Sequence, residues 1–486
     1  MNRDLLPMNP NHDPLRLSRR GFLTSASSGL GAIALATLLK EERSRASGTD
    51  LDSTPKLGLP HHPPRARNCI FIFLAGGTSQ IELFDPKPKL TELTGQRMPE
   101  SFFQNERFAF VKRDQSAIMG SQFAYRRYGQ SGIEMSELLP GVGSCADHMT
   151  LIRSMYTDQF DHAPAEILFS TGTEIPGRPS AGAWILYGLG SESANLPGYV
   201  VLMTARGPVS RSSTWGSGFL PASYAGVLFQ GEGEPVLNLS NPPGVTRSMQ
   251  EAQIEAVKRL NAHRYRQLQD PEIQSRIAAY ELAFRMQTAA PELIDLGRES
   301  AATLASYGTA RAGEAGGFAR NCVLARRLVE RGVRFVTLFH RKWDQHSGLK
   351  NALAENCRVV DQPIAALVHD LKQRGLLDET LVIWGTEFGR TPITENREPG
   401  PQAGRDHHRF GFSVWLAGGG VKAGQVVGAT DELGWHAVQD RVHVNDFHAT
   451  LLHLFGLDHL RLTRNFMGLD VRLTNQGGDV VRKVIA

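Results

Sequence analysis

Five separated segments of the chain carry side chains able to hold a cation or move a proton. They are Thr78, Ser79, Glu82 and Asp85; Asp158, Asp161, His162 and Glu166; Asp344 and His346; Glu387 and Arg390; and Arg405, Asp406, His407 and His408. Carboxylate oxygen combined with imidazole nitrogen suits zinc, manganese, iron or calcium better than a thiolate-seeking ion. Each group alone has an ordinary reading. Asp344-x-His346 makes a loop hydrogen-bond pair, Glu387 a solvated loop acid, and Asp406-His407-His408 an exposed polar turn. His162 opens a helix with Pro164 in its first turn. Shared position argues for chemistry, because every group directly follows or precedes an apolar run. The run Thr380-Leu-Val-Ile-Trp-Gly385 leads straight to Glu387, with Gly389 and Arg390 behind it. The glycine permits a tight turn, and the arginine offers a fork of donors to an anionic substrate or a carboxylate.

Those runs read as strands. "NCIFIFLAGG" is continuously apolar, rich in β-branched and aromatic residues, and closed by two glycines, the pattern of a strand buried on both faces. Residues 149–155, 197–203, 333–339 and 380–385 and the stretch "FSVWLAGGG" have the same character. Helical patterns of ten or more residues separate them, so a parallel or mixed sheet covered by helices on both faces is expected. In such sheets ligands bind beyond the carboxyl ends of the strands, which is where the acids and histidines fall. Residues 246–305 have apolar positions at helical spacing and few glycines. They read as two or three amphipathic helices serving as a cap, a dimerisation arm or an outer layer.

At 486 residues the chain can bury a large core. Its formal charge of +4 comes largely from residues 1–46, which hold seven Lys/Arg and four Asp/Glu. The remainder carries 46 against 45, leaving no electrostatic case for nucleic acid. Arg19-Arg20 precede a weakly apolar Phe22–Leu39 run, and "SRRGFL" resembles a twin-arginine export signal. Residues 1–46 are therefore expected to engage the twin-arginine machinery, with a periplasmic, cell-surface or secreted destination. Residues 47–67 read as a linker, 68–473 as the folded domain and 474–486 as a tail. The four cysteines are scattered, and none stands out as a nucleophile.

The stretches "IFLAGGTSQIELFDPKP", "HAPAEILFSTGTEIPGRPSAGAWILYGLG", "LVIWGTEFGRTP" and "GRDHHRFGFSVWLAGGGVKAG" resemble the sulfatase-like family called domain of unknown function 1501. That family is placed in the alkaline phosphatase superfamily. The resemblance runs from about Asn68 to Leu473. It implies a three-layer α/β/α fold with a mainly parallel central sheet, and divalent metal ions with a nucleophile at one sheet edge. The superfamily's acidic pair after the first strand falls on Gly76-Gly77 here, with Glu82 and Asp85 the nearest acids. Laid over the sulfatase nucleophile motif, His162 takes the nucleophile position and Glu166 that of the arginine. Pro164 and Thr171-Gly172 match. Glu387 and Gly389 stand for an Asp-His-Gly with Phe388 in the middle, Asp344 and His346 for a metal-binding pair, and His407 or His408 for a final histidine.

Two functions follow as expectations. One is exported, metal-dependent hydrolysis of a sulfate or phosphate ester on a small molecule or polysaccharide, without the usual Cys or Ser nucleophile. Its ligands would come from Asp344, His346, Glu387, His407, Asp406, Glu82 and Glu166, holding zinc, manganese or calcium. Arg390 or Arg405 would bind the substrate anion, and water, Ser79, Thr78 or His162 would attack. The other is a non-catalytic cell-surface binding or scaffold protein that keeps the same fold.

Overall fold

The computed structural model describes residues 59–103, 108–204, 206–231, 233–475 and 477–486. The expected export signal and residues 47–58 of the linker lie outside the described residues. Among the described residues one sheet has nine strands: β1 (Asn68–Leu74), β2 (Met149–Tyr156), β3 (Tyr199–Thr204), β4 (Val227–Phe229), β5 (Phe335–His340), β6 (Thr380–Gly385), β7 (Phe412–Ala417), β8 (Gln425–Val427) and β9 (Val442–His443). Six of them, β1, β2, β3, β5, β6 and β7, are the expected apolar runs. Their spatial order is β8-β2-β7-β6-β1-β5-β3-β4, with β9 alongside β2. Only β7 runs against its neighbours, β2 and β6; every other pairing is parallel.

The covering helices are α1 (His162–Thr171), α2 (Ala181–Leu189), α3 (Arg247–Leu268), α4 (Pro271–Ile294), α5 (Gly313–Glu330), α6 (Leu349–Gln373) and α7 (Val444–Leu454). Strand β1 shows why the sequence lacked strand-like alternation. Ile70, Ile72 and Leu74 pack into the core beneath α5 and α6, while Cys69, Phe71 and Phe73 pack into a second core beneath α1, α2 and α7. A strand dry on both faces has no polar side to reveal its period. The architecture is a three-layer α/β/α sandwich around a mainly parallel sheet.

Within 246–305, α4 buries Met286, Ala290 and Leu293 in the first core, whereas α3 buries little beyond Gln250 and Asn261. The segment is thus an outer layer over α5. Within residues 474–486, expected as a tail, Thr474 and Val484 are buried, the Val484 carbonyl accepts from Lys422 N at 2.8 Å, and Ala486 N donates to Gly420 O at 3.0 Å. All four cysteines are buried free thiols. No helix among the described residues is long and apolar enough to cross a membrane.

Candidate metal centre

The register of the sheet brings the site together. Leu74 of β1 lies opposite His340 of β5, and Phe73 opposite Gly385 of β6, so the three strands end flush and their following loops share one rim. Helix α1, which opens with His162, follows β2 to the same rim. Because β7 is reversed, residues before it arrive there too. A two-stranded ribbon pairs His407 with Arg390 and His408 with Gly389.

Two backbone features shape the rim. Gly76 has φ +123°, and a Cβ there would sit 2.7 Å from Asp344 N, so the Asp344 loop rides directly over the glycine. Lys342 has φ +90°, a costly conformation for a side-chain-bearing residue. Its carbonyl accepts from Asn356 Nδ2 at 2.6 Å and Gln345 Nε2 at 2.7 Å, which pins the turn that launches Asp344 and His346.

Three imidazoles converge on one carboxylate oxygen. Asp344 Oδ1 is 3.2 Å from His162 Nε2, 2.8 Å from His346 Nε2 and 3.3 Å from His407 Nε2, and the last two nitrogens are 3.1 Å apart. Arg390 Nη2 contacts the same oxygen at 2.5 Å. The Asp344 side chain is 41% exposed and opens the cluster to solvent, while the His407 side chain is only 3% exposed.

The other nitrogen of each ring fixes its orientation. His162 Nδ1 is 2.9 Å from Glu387 Oε1, His346 Nδ1 meets Glu395 Oε2, and His407 Nδ1 is 2.7 Å from the Phe160 carbonyl. A carbonyl only accepts, so His407 carries its proton on Nδ1, and the carboxylates favour the same tautomer for the other two rings. All three Nε2 atoms therefore point inward. Glu387 is itself fixed, accepting from Gly76 N at 2.7 Å, and lies 3.2 Å from Thr386 Oγ1.

Charge follows this geometry. Burial would lower His162, but the carboxylates of Asp344 and Glu387 beside its two nitrogens outweigh that and raise it to about 9. The same opposition, with Asp344 and Glu395, raises His346 to about 9. Burial, with Arg390 and His162 nearby, holds His407 below the ordinary histidine value. Asp344 is desolvated, yet the three histidines and Arg390 hold it far below the carboxylate range. Protons on His162 and His346 thus stand where a divalent cation would.

The residues fit such a cation. His162, Asp344, His346 and His407 each offer a donor atom, all within 4.8 Å of one another. Bonds of 2.0–2.1 Å to a tetrahedral ion put neighbouring donors about 3.3 Å apart, close to the separations seen. His162 Nε2 is buried and, although near Asp344, makes no well-aligned hydrogen bond. Rings oriented by a carboxylate or carbonyl on their far nitrogen are the usual support of histidine ligands.

Several residues expected at the centre do other work. Glu387 is an orienting partner of His162. Glu166 accepts from Val209 N and Ser210 N at 3.0 and 2.8 Å; burial and the Glu387 charge push its carboxyl up to about 7. Asp406 accepts from Phe110 N, Val111 N and His407 N, although with His346 and Glu395 it forms a second grouping of possible ligands. Glu82 is fully buried against Arg405 at 2.7 Å and bonds Ser79 Oγ, so neither Ser79 nor Glu82 is presented to the rim. Arg405, expected on the substrate anion, also donates to the carbonyls of Thr391, Met119 and Gly120. Arg390 is equally buried and donates to the carbonyls of Gly76, Gly77 and Arg405 besides Asp344. It orients a carboxylate, the second of its two expected roles. Thr78 is buried, its amide donating to Thr386 Oγ1. His408 turns away to the Trp435 carbonyl, and burial lowers it to about 4. Sequence reasoning missed Glu395 and Phe160. Glu395 was visible only as another loop acid, and Phe160 contributes a backbone carbonyl.

Fold and site together define an α/β/α protein with a histidine-rich cluster at the carboxyl rim of its sheet that could hold a cation. The chain belongs to the family described as "Protein of unknown function (DUF1501)", whose profile matches residues 66–485. No curated protein matches it in sequence. Similar solved structures include the lipoteichoic acid synthase LtaP from Listeria monocytogenes, at 9% identity and TM-score 0.37, covering 86% of this chain and 78% of that one. The PsFucS1 sulfatase from Pseudoalteromonas sp. matches at 13% identity and TM-score 0.34, covering 87% and 76%. Alkaline phosphatase from the Antarctic bacterium TAB5 matches at 10% identity and TM-score 0.28, covering 80% and 98%.

Proposed function

We propose that this protein is an exported, metal-dependent hydrolase of sulfate or phosphate esters. One observation carries the reading: the Nε2 atoms of three imidazoles, each ring held by a partner on its far nitrogen, converge on a solvent-open carboxylate oxygen. His162, Asp344, His346 and His407 would hold a divalent ion, zinc or manganese rather than calcium, because three nitrogen donors suit the former pair. When bound, such an ion polarises an ester oxygen and acidifies water. The chain's own residues prepare the site. Glu387, Glu395 and the Phe160 carbonyl lock the rings, Arg390 aims the Asp344 oxygen, and the exposed side of Asp344 leaves an approach for the ester. Ser79 is spent on Glu82, so water is the nucleophile this arrangement supports.

Elemental analysis and turnover test the reading together. Purified protein is expected to hold stoichiometric metal, lost on His407→Ala, and to hydrolyse aryl sulfate or phosphate mono- or diesters. Metal-replete protein inert to all of these would sink the hydrolase. A specific observation favours the second reading, a non-catalytic binding or scaffold protein: both arginines expected on the anion are buried and saturated by protein partners. Metal-free protein, unaltered by His407→Ala, would favour that reading.

A further inference from the structure

Phe110 is 56% exposed, unusual for a phenylalanine, yet it is not free at the surface. Its ring stands edge-on to His346 with centroids 5.2 Å apart, and 6.1 Å from the His407 ring. Its backbone is held from both ends. Asp406 Oδ2 accepts from Phe110 N at 2.7 Å and Val111 N at 3.0 Å; Asn396 Nδ2 donates to the Phe110 carbonyl at 2.9 Å, and Asn396 Oδ1 accepts from Lys112 N at 2.6 Å. These clamps are not arbitrary neighbours. Asp406 precedes His407, and Asn396 follows Glu395, the residue that orients His346. The apolar ring is thus registered to the cation cluster by residues adjacent to the cluster itself.

Its edge contacts with the two imidazoles leave more than half of this fixed aromatic open to solvent in the free protein. It becomes useful when an apolar surface enters with the charged group. We infer that Phe110 is a specificity-determining residue that packs on the organic part of the substrate. This assigns the substrate class as an anionic ester whose charged group is flanked by a flat C–H or aryl face, either a sugar ring or an aromatic ring. The inference rests on the proposed ester chemistry, and it concerns binding rather than turnover.

Calorimetric titration of the metal-loaded full chain tests it. The probes are nitrophenyl sulfate and phosphate, galactose sulfate and phosphate, and the two inorganic anions. Phe110→Ala is expected to weaken binding of the organic esters roughly three- to tenfold, the scale of one aromatic contact. Inorganic anion binding and metal content should not change, and Phe110→Trp should restore ester binding. Loss confined to the sugar esters, or to the aryl esters, identifies which face the ring meets. Equal loss for inorganic anions, or no loss for any ester, overturns the inference. Wild-type protein that binds esters without hydrolysing them would remove the hydrolase reading and leave this one standing. Wild-type turnover with unchanged Phe110→Ala affinity would do the reverse.

Discussion

Replacing Glu387 by glutamine isolates one charge behind the cluster. The carboxylate is fully buried, accepts from Gly76 N and His162 Nδ1, and lies 3.2 Å from Thr386 Oγ1. Glutamine keeps an oxygen toward Gly76 and His162. Its amide nitrogen can donate to Thr386 Oγ1, whose own proton already reaches the Leu74 carbonyl at 3.0 Å. Every hydrogen bond therefore survives, and the fold should lose no more than about 1 kcal/mol. What disappears is the negative charge that makes His162 a better donor to a cation. Losing such an outer partner typically costs 10–100-fold in metal affinity, or about 1.4–2.7 kcal/mol. Competition with a chromophoric chelator measures the affinity, and thermal melting in excess chelator measures the fold. An affinity within twofold of wild type, with the fold intact, would refute His162 as a ligand supported by Glu387.

Other outcomes follow from the same contacts. His162 and His346 lie near 9 in the metal-free fold against an ordinary 6.5, so their protonated forms add stability that is complete below pH about 6.5 and fades as pH rises through 9. Metal competes for the same lone pairs, so the melting-temperature gap between metal-loaded and metal-free protein should widen over that window; a constant gap would contradict the assignment. Arg405→Ala leaves Glu82 buried and unpaired and should cost about 3–5 kcal/mol in urea unfolding. A normally stable variant with weakened anion binding would return Arg405 to the substrate. Gly76→Ala places a methyl group 2.7 Å from Asp344 N at φ +123°, and should lose metal and about 1–3 kcal/mol of stability; unchanged metal content would show that the Asp344 loop can shift.

Much of the layered architecture was legible because its physics is local. β6 occupies Thr380–Gly385 as its apolar run implies, and α1 begins at His162 as Pro164 implies. The reversal of β7 was not legible, since a strand buried on both faces reads the same in either direction. Convergence of Asp344, His346, His407 and His162 could be argued from their places beside strands. Their division of labour could not. Glu387, Glu166 and Asp406 looked as able to bind metal as Asp344, and only the donors around each carboxylate separate them. Arg405 misled, and Arg390 stayed open between its two roles, for the same reason: a guanidinium in a rim loop reads as available until the carbonyls that surround it are known.

The central position of β1 sets the order in which the molecule can be completed. It pairs on one side with residues 335–340 and on the other with 380–385, so the first strand made must wait for most of the chain before either edge is closed. No amino-terminal fragment ending before residue 335 can pair β1 with either neighbour, so its pairings are distant in sequence. A cation held by His162, Asp344, His346 and His407 would gain its full set of holders only once position 407 had been made and brought to the rim.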